Sequence, residues 1–132
     1  MNNKAVHTLL PFAPLVARIL VGGMFLMAGI QKITAFDGMV AFAGSAGLPY
    51  PTLAIALAIA IEVIGGLSVI LGYRIFWGAL ALAVFTVVAS FIFHADFADP
   101  VQKMYFIKNM GIVSALLYMV RFGGGRLSID DK

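Results

Sequence analysis

The chain has 132 residues, 62% of them hydrophobic and 11% charged, with a formal net charge of +3. Soluble domains run near 45–50% apolar and about 25% charged, so an ordinary soluble domain is excluded, and the absence of a basic patch with interleaved aromatics leaves no nucleic-acid role. There are no cysteines, which excludes a thiol relay, a disulfide, a thiolate-bound zinc and a cysteine-held iron–sulfur cluster.

Mean hydropathy is +1.02. Four apolar stretches reach or approach the roughly 20 residues that cross a hydrocarbon core: Pro14 to Ile33, Thr52 to Gly72, Ile75 to His94 and Met104 to Phe122. They predict one integral membrane domain over residues 1–132. Segments in lipid must satisfy their own backbone hydrogen bonds. These are about twice the length of a barrel strand and lack its alternation. The expected fold is therefore all-α: a polytopic, antiparallel four-helix transmembrane bundle.

The first stretch follows Lys4, as the apolar region of a secretory signal follows a basic residue, and AFA at Ala41 to Ala43 loosely resembles a cleavage site. A signal's apolar region is only about 7–15 residues with the cleavage site close behind, and here Lys32 and Asp37 intervene. A retained helix is expected. Along it, Arg18, Gly22, Phe25, Gly29 and Lys32 recur at spacings of four, three, four and three, one stripe of a helix. Two cations mark the ends of that stripe, about 21 Å apart.

The first connection, TAFDGMVAFAGSAGLPYP, predicts a short interfacial helix capped by Asp37, with Phe36 as a staple. Met39, Val40 and Phe42 would dip into the membrane interface. Gly47-Leu48-Pro49 and Pro51 break it before the second span.

The second span carries one carboxylate, Glu62, on a face with Ala58, Gly65, Gly66 and Val69. It lies roughly 15 Å from either end. An unpaired carboxylate there costs roughly 2.5–3.5 kcal/mol on insertion scales. In the fourth span Lys108 shares a face with Met104, Gly111 and Ala115. The heights point to Glu62–Lys108 as the closer pair, with Arg18 as the rival partner. Such a pair either locks the bundle or works as a site; a protonated Glu62 donating to a backbone carbonyl is a third reading. Gly22-Gly23, Ala28-Gly29, Gly65-Gly66, Gly72 and Gly111 allow helices to approach closely in lipid.

The third span ends in FIFHADFADP. His94 reads either as a cap on a helix C-terminus or as part of a polar mouth with Gln31, Lys32, Lys108 and Asn109. His94 and Asp96 are two donors without confirming metal-site spacing, so no metal is assigned. Tyr50, Tyr73, Trp77 and Tyr105 read as interfacial anchors. His7 lies on what reads as a disordered N-terminus, and the tail RFGGGRLSIDDK as a solvated end. Lys4, Arg18, Arg74, Arg121, Arg126 and Lys132 fall on the face with both termini, and Lys32, Lys103 and Lys108 on the other. Basic residues favour the cytoplasm, so both termini are expected inside.

Taken in order, ARILVGGMFLMAGIQK, GLPYP, EVIGGLSVILG, FIFHADF and FIKNMGI resemble the DoxX family of small bacterial membrane proteins across nearly the whole chain. The resemblance implies a four-helix, multi-pass bacterial inner-membrane protein. The family is named after the membrane subunit of a thiosulfate:quinone oxidoreductase, and some relatives associate with redox enzymes. This chain resembles the short bacterial branch, so a thiosulfate activity is not implied. The polar positions within the matched stretches are Arg18, Lys32, Glu62, His94, Lys108 and Asn109.

Three functions stay open. The first is a quinone-linked membrane subunit of an oxidoreductase, holding a quinone head near Lys32, Glu62, His94, Lys108 and Asn109. Its electrons would come from a partner such as a soluble redox protein. The second is a non-catalytic scaffold or anchor for a soluble partner, or a stress-tolerance factor. The third is a small transporter or proton pathway through Glu62, for which four helices leave little room unless the chain forms a homo-oligomer.

Overall fold

The computed structural model describes residues 3–131; Lys132, counted above for orientation, lies outside them. Among these residues the regular structure is all helical, in six helices and no strands: α1 (Asn3–Leu9), α2 (Phe12–Thr34), α3 (Phe36–Ser45), α4 (Pro51–Leu71), α5 (Ile75–Phe93) and α6 (Pro100–Phe122). Three of them, α2, α4 and α5, are long and apolar enough to cross a membrane. α6 matches them in length, but Lys103, Lys108, Asn109 and Arg121 lower its hydropathy. Large side chains such as Leu20, Ile64 and Trp77 lie on the outer surface, an apolar exterior that a water-soluble monomer rarely presents.

Local chemistry sets the ends. Pro51 opens α4 with its fixed φ and no N–H to lose. Gly72 closes it at φ +64, where Gly72 N–H donates to Val69 O at 3.2 Å and Tyr73 N–H to Ser68 O at 3.0 Å. These are the paired bonds of a Schellman end, which favours glycine because φ is positive. Asp99 caps α6, its Oδ1 accepting from Val101 N–H at 2.9 Å, and Pro100 fills the first helical position.

The buried residues of α2 are Arg18, Gly22, Phe25 and Gly29, the stripe read from their spacing. α2 packs most extensively against α4, and α5 against α6, with α4 also meeting α5. A core including Val69, Ala79, Leu82 and Leu116 ties these elements together.

Several local expectations are corrected. Asp37 does not cap α3: the cap position is Ala35, with no side-chain hydrogen bond, and Phe36 is already helical. α6 starts at Pro100 rather than Met104, because Asp99 and Pro100 form a complete start signal upstream. His7 lies on α1 rather than on a disordered segment. The face of α6 turned inward carries Val113, Leu116 and Met119, whereas Lys108, Met104 and Gly111 are exposed and Ala115 is half-buried. Branched and long apolar side chains gain more from burial against α5 than glycine or alanine can.

The tail is not a free solvated end. Arg18, 1% exposed, donates from Nη1 to Ile70 O at 2.9 Å and from Nη2 to Leu127 O. Ile129 N–H donates to Leu71 O at 3.1 Å and Asp130 N–H to Gly72 O at 2.8 Å. The Asp130 carboxylate accepts from Arg74 N–H at 2.7 Å and Ile75 N–H at 2.9 Å. The tail thus straps the α4–α5 joint and caps α5, satisfying amides that a helix start otherwise leaves open. Arg18 is consumed here and does not reach Glu62.

Candidate functional site

Gly29 sets the first relationship. A methyl built on it would meet Val63 Cγ2 at 2.7 Å and Glu62 Cβ at 3.2 Å, so α2 lies directly against α4 at the level of the carboxylate. Lys32, about one turn further along the same stripe, folds its flexible stem onto Glu62. Nζ lies 2.8 Å from Oε1. The Glu62 partner is therefore Lys32 rather than Lys108 or Arg18. The reason is positional: α4 packs on α2, while α6 packs chiefly on α5. Glu62 is 3% exposed, and the pair is close but poorly aligned, since Oε1 lacks a well-angled hydrogen-bond donor.

This pair lines a cavity of about 910 Å³ bounded by α2, α3, α4, α5 and the middle of α6. Its walls are mostly apolar, including Phe25, Ile61, Leu80 and Val88. Six polar side chains contribute to the lining, Lys32, Glu62, Thr86, His94, Lys108 and Asn109; Lys32 and His94 stand at helix ends, whereas Glu62 and Thr86 lie midway along α4 and α5. Five of these are the positions singled out from the sequence. Thr86 was not, because a threonine inside an apolar run gives no signal of its own. Gln31 is exposed on α2 and is absent from the lining.

His94 follows the last residue of α5 and donates its backbone N–H to Ser90 O at 2.9 Å. Its ring lies 5.2 Å from that of Tyr105, and Nδ1 is buried without a hydrogen-bond partner. Burial, and then the Lys108 charge, hold this imidazole below its ordinary pKa. Lys108 Nζ sits 4.7 Å above the centre of the Tyr105 ring, so Tyr105 stands in contact with both groups. The sequence showed Tyr105 only as a residue near a helix end.

Asn109 is tied to α5: its Nδ2 donates to Ser90 Oγ at 3.0 Å, while Ser90 Oγ donates to Thr86 O at 2.7 Å. Phe42 of α3 stacks on Phe93 with ring centres 5.6 Å apart. That contact carries α3 over the cavity. Asp96 and Asp99 stay outside the cavity lining. Asp96 Oδ1 accepts from Ala98 N–H at 3.2 Å, and Asp99 serves as the α6 cap. Among the described residues, no three His, Asp or Glu side chains converge as a metal-binding group.

The arrangement can accept a molecule with a long apolar body and a small polar head. Apolar walls with a few convergent polar groups are the usual form of a small-molecule site. Lysine and asparagine can donate to the head, and a neutral imidazole can donate or accept.

Comparison with known proteins agrees with the apolar character. The sequence pattern of the DoxX family matches residues 13–95, a range that ends before α6. The inner membrane protein YqjF of Escherichia coli K12 is 37% identical over 88% of this chain and 88% of its own length. The inner membrane protein YphA of the same organism is 32% identical over 92% of this chain and 91% of its own. A Surfeit locus protein 4 homolog of Schizosaccharomyces pombe is 28% identical over 82% of this chain but only 37% of its own length. The names of the two bacterial relatives state a location and no activity. No solved structure matches.

Proposed function

Since the chain belongs to the DoxX family of membrane proteins, we propose that it is an inner-membrane component that holds a lipid-soluble quinone, as a membrane subunit of a redox complex. In this reading residues 1–132 form one domain and α6 is a fourth span. α3 lies in the interface, and both termini face the cytoplasm. At 1.5 Å per residue α6 is about 34 Å long, enough to cross. The apolar Met39 and Phe42 of α3 give it a side to bury. The excess of Lys and Arg on the α4–α5 and terminal side supports the orientation.

The observation that carries the quinone reading is how few polar groups stand in the groove. Lys32, Glu62, His94, Lys108 and Asn109 are a small polar set in a lining that is otherwise mostly apolar. A quinone needs donors for its ring oxygens and proton-exchanging groups nearby, with apolar cover for its tail. The chain's role is to bind and orient that head; a soluble redox protein supplies or removes electrons.

A second reading, a non-catalytic scaffold or anchor, draws on the same pair differently. Lys32 and Glu62 lie 2.8 Å apart within the chain, and the tail straps the opposite end, so the polar residues also serve as internal locks.

Quinone extracted from protein purified out of its native membrane, measured by mass spectrometry, separates the two. The quinone reading expects quinone near stoichiometry with the protein, well above its ratio in the bulk membrane. A bulk-membrane ratio leaves the scaffold reading.

A further inference from the structure

The charges lining the groove do not cancel. Lys32 and Glu62 neutralise one another at 2.8 Å. The remaining formal charge is Lys108, which among the described residues makes no ion pair and rests on the face of Tyr105. The acids of the adjoining loop are engaged elsewhere: Asp96 with Ala98 N–H, Asp99 with Val101 N–H. His94 leaves Nδ1 buried and unpartnered, and Asn109 is held by Ser90. The cluster therefore offers one unmatched cation and one open imidazole nitrogen. It offers no unmatched anion.

Resting on the quinone reading, we propose that the groove prefers a negatively charged quinone head to its neutral isostere, and that Lys108 determines this preference. The fitting class is a quinone whose ring bears an ionised hydroxyl. Its charge is spread over acceptor oxygens and complements a cation and a hydrogen-bond donor. A neutral quinone engages the same apolar walls but gains only dipolar attraction from Lys108. A cationic head is repelled by it. The step is binding alone, with no electron transfer. Lys108 lies at the exposed edge of the cavity, so its attraction is moderated by the surroundings. At about 4 Å and an effective dielectric of about 60, between that of a protein surface and bulk water, a preference of about tenfold remains.

The test uses the full chain in lipid nanodiscs. It compares a 3-alkyl-2-hydroxy-1,4-naphthoquinone, anionic at neutral pH, with the 2-methoxy compound bearing the same tail. Partitioning into protein-free nanodiscs is measured and subtracted. The expected result is about tenfold tighter binding of the hydroxy compound. Lys108→Met abolishes that difference while the methoxy compound still binds, and Lys108→Arg restores it. Lys103→Met, which removes a nearby cation outside the groove lining, keeps it.

Equal binding of the two compounds to the wild type overturns the charge preference and leaves the quinone reading standing. Binding of neither overturns both. An equal loss of both compounds in Lys108→Met overturns the assignment to Lys108, because it marks a structural role. Should Lys108→Met not fold, Glu62→Gln tests the same electrostatics from the other side. Releasing Lys32 from its counter-charge widens the preference for the anion, and an unchanged or narrowed preference counts against the proposal.

Discussion

Gly22 and Gly66 bring α2 and α4 together backbone to backbone: a methyl on Gly22 would lie 2.7 Å from Gly66 O, and one on Gly66 would lie 2.8 Å from Gly22 O. Neither obstacle is a side chain that can rotate away. Gly66→Ala is expected to cost about 1–3 kcal/mol by overpacking. Gly23→Ala, with nothing within 4 Å of the added carbon, should be neutral or gain up to about 1 kcal/mol through helix propensity. Reversible unfolding in mixed micelles gives both values. Equal effects would mean that α2 and α4 do not meet at this register.

The Lys32–Glu62 pair makes a different prediction from the Glu62–Lys108 pair expected from heights along the helices. Lys32→Met leaves a carboxylate buried without its cation and should cost about 3–5 kcal/mol. Adding Glu62→Gln to that variant should recover much of the loss. Lys108→Met should show no such coupling to Glu62. A double-mutant cycle measures both terms, and coupling to Lys108 instead of Lys32 would contradict the observed pairing.

At the opposite end, Asp130 accepts from the first free amides of α5. Replacing it by Ala should cost about 0.5–2 kcal/mol, the range for losing a helix cap. Hydrogen exchange at Arg74 and Ile75 should accelerate while exchange deep in α6 is little changed. If protection at Arg74 and Ile75 is unaltered, the tail does not serve as the cap.

His94 supplies a pH test. Burial and the Lys108 charge lower its pKa, so neutral imidazole persists to a lower pH than in a solvated histidine. Removing a neighbouring positive charge makes protonation easier. In Lys108→Met the imidazole should therefore titrate at higher pH than in the wild type, as followed by NMR of ring-labelled histidine. A shift to lower pH, or none, would separate the two side chains.

Much of the candidate site was legible because charges are rare in this chain. In a sequence so apolar, Lys32, Glu62, His94, Lys108 and Asn109 stand out individually, and helix heights place most of them toward one end. Tyr105 and Thr86 did not stand out: an aromatic near a helix end and a hydroxyl within an apolar run each have an ordinary explanation. Their proximity to the charged groups depends on how α5 meets α6. Gly23 and Gly111 show the opposite failure. Small residues signal that close packing is permitted, yet at these two positions no neighbour comes close.

The membrane setting, the DoxX resemblance and the buried stripe Arg18–Gly22–Phe25–Gly29 all follow from local patterns in the chain. Hydropathy and the helical repeat act over neighbouring residues and need no knowledge of the fold. The packing of the helices puts Glu62 beside Lys32, because that choice depends on α4 lying against α2 while α6 packs chiefly on α5. Tertiary contacts likewise return the tail to the α4–α5 joint. The bonds holding it run between Arg18, backbone carbonyls and amides, and the Asp130 carboxylate. Backbone donors and acceptors occur at nearly every residue, so their pairing is written in the geometry of the chain rather than in its pattern of side chains.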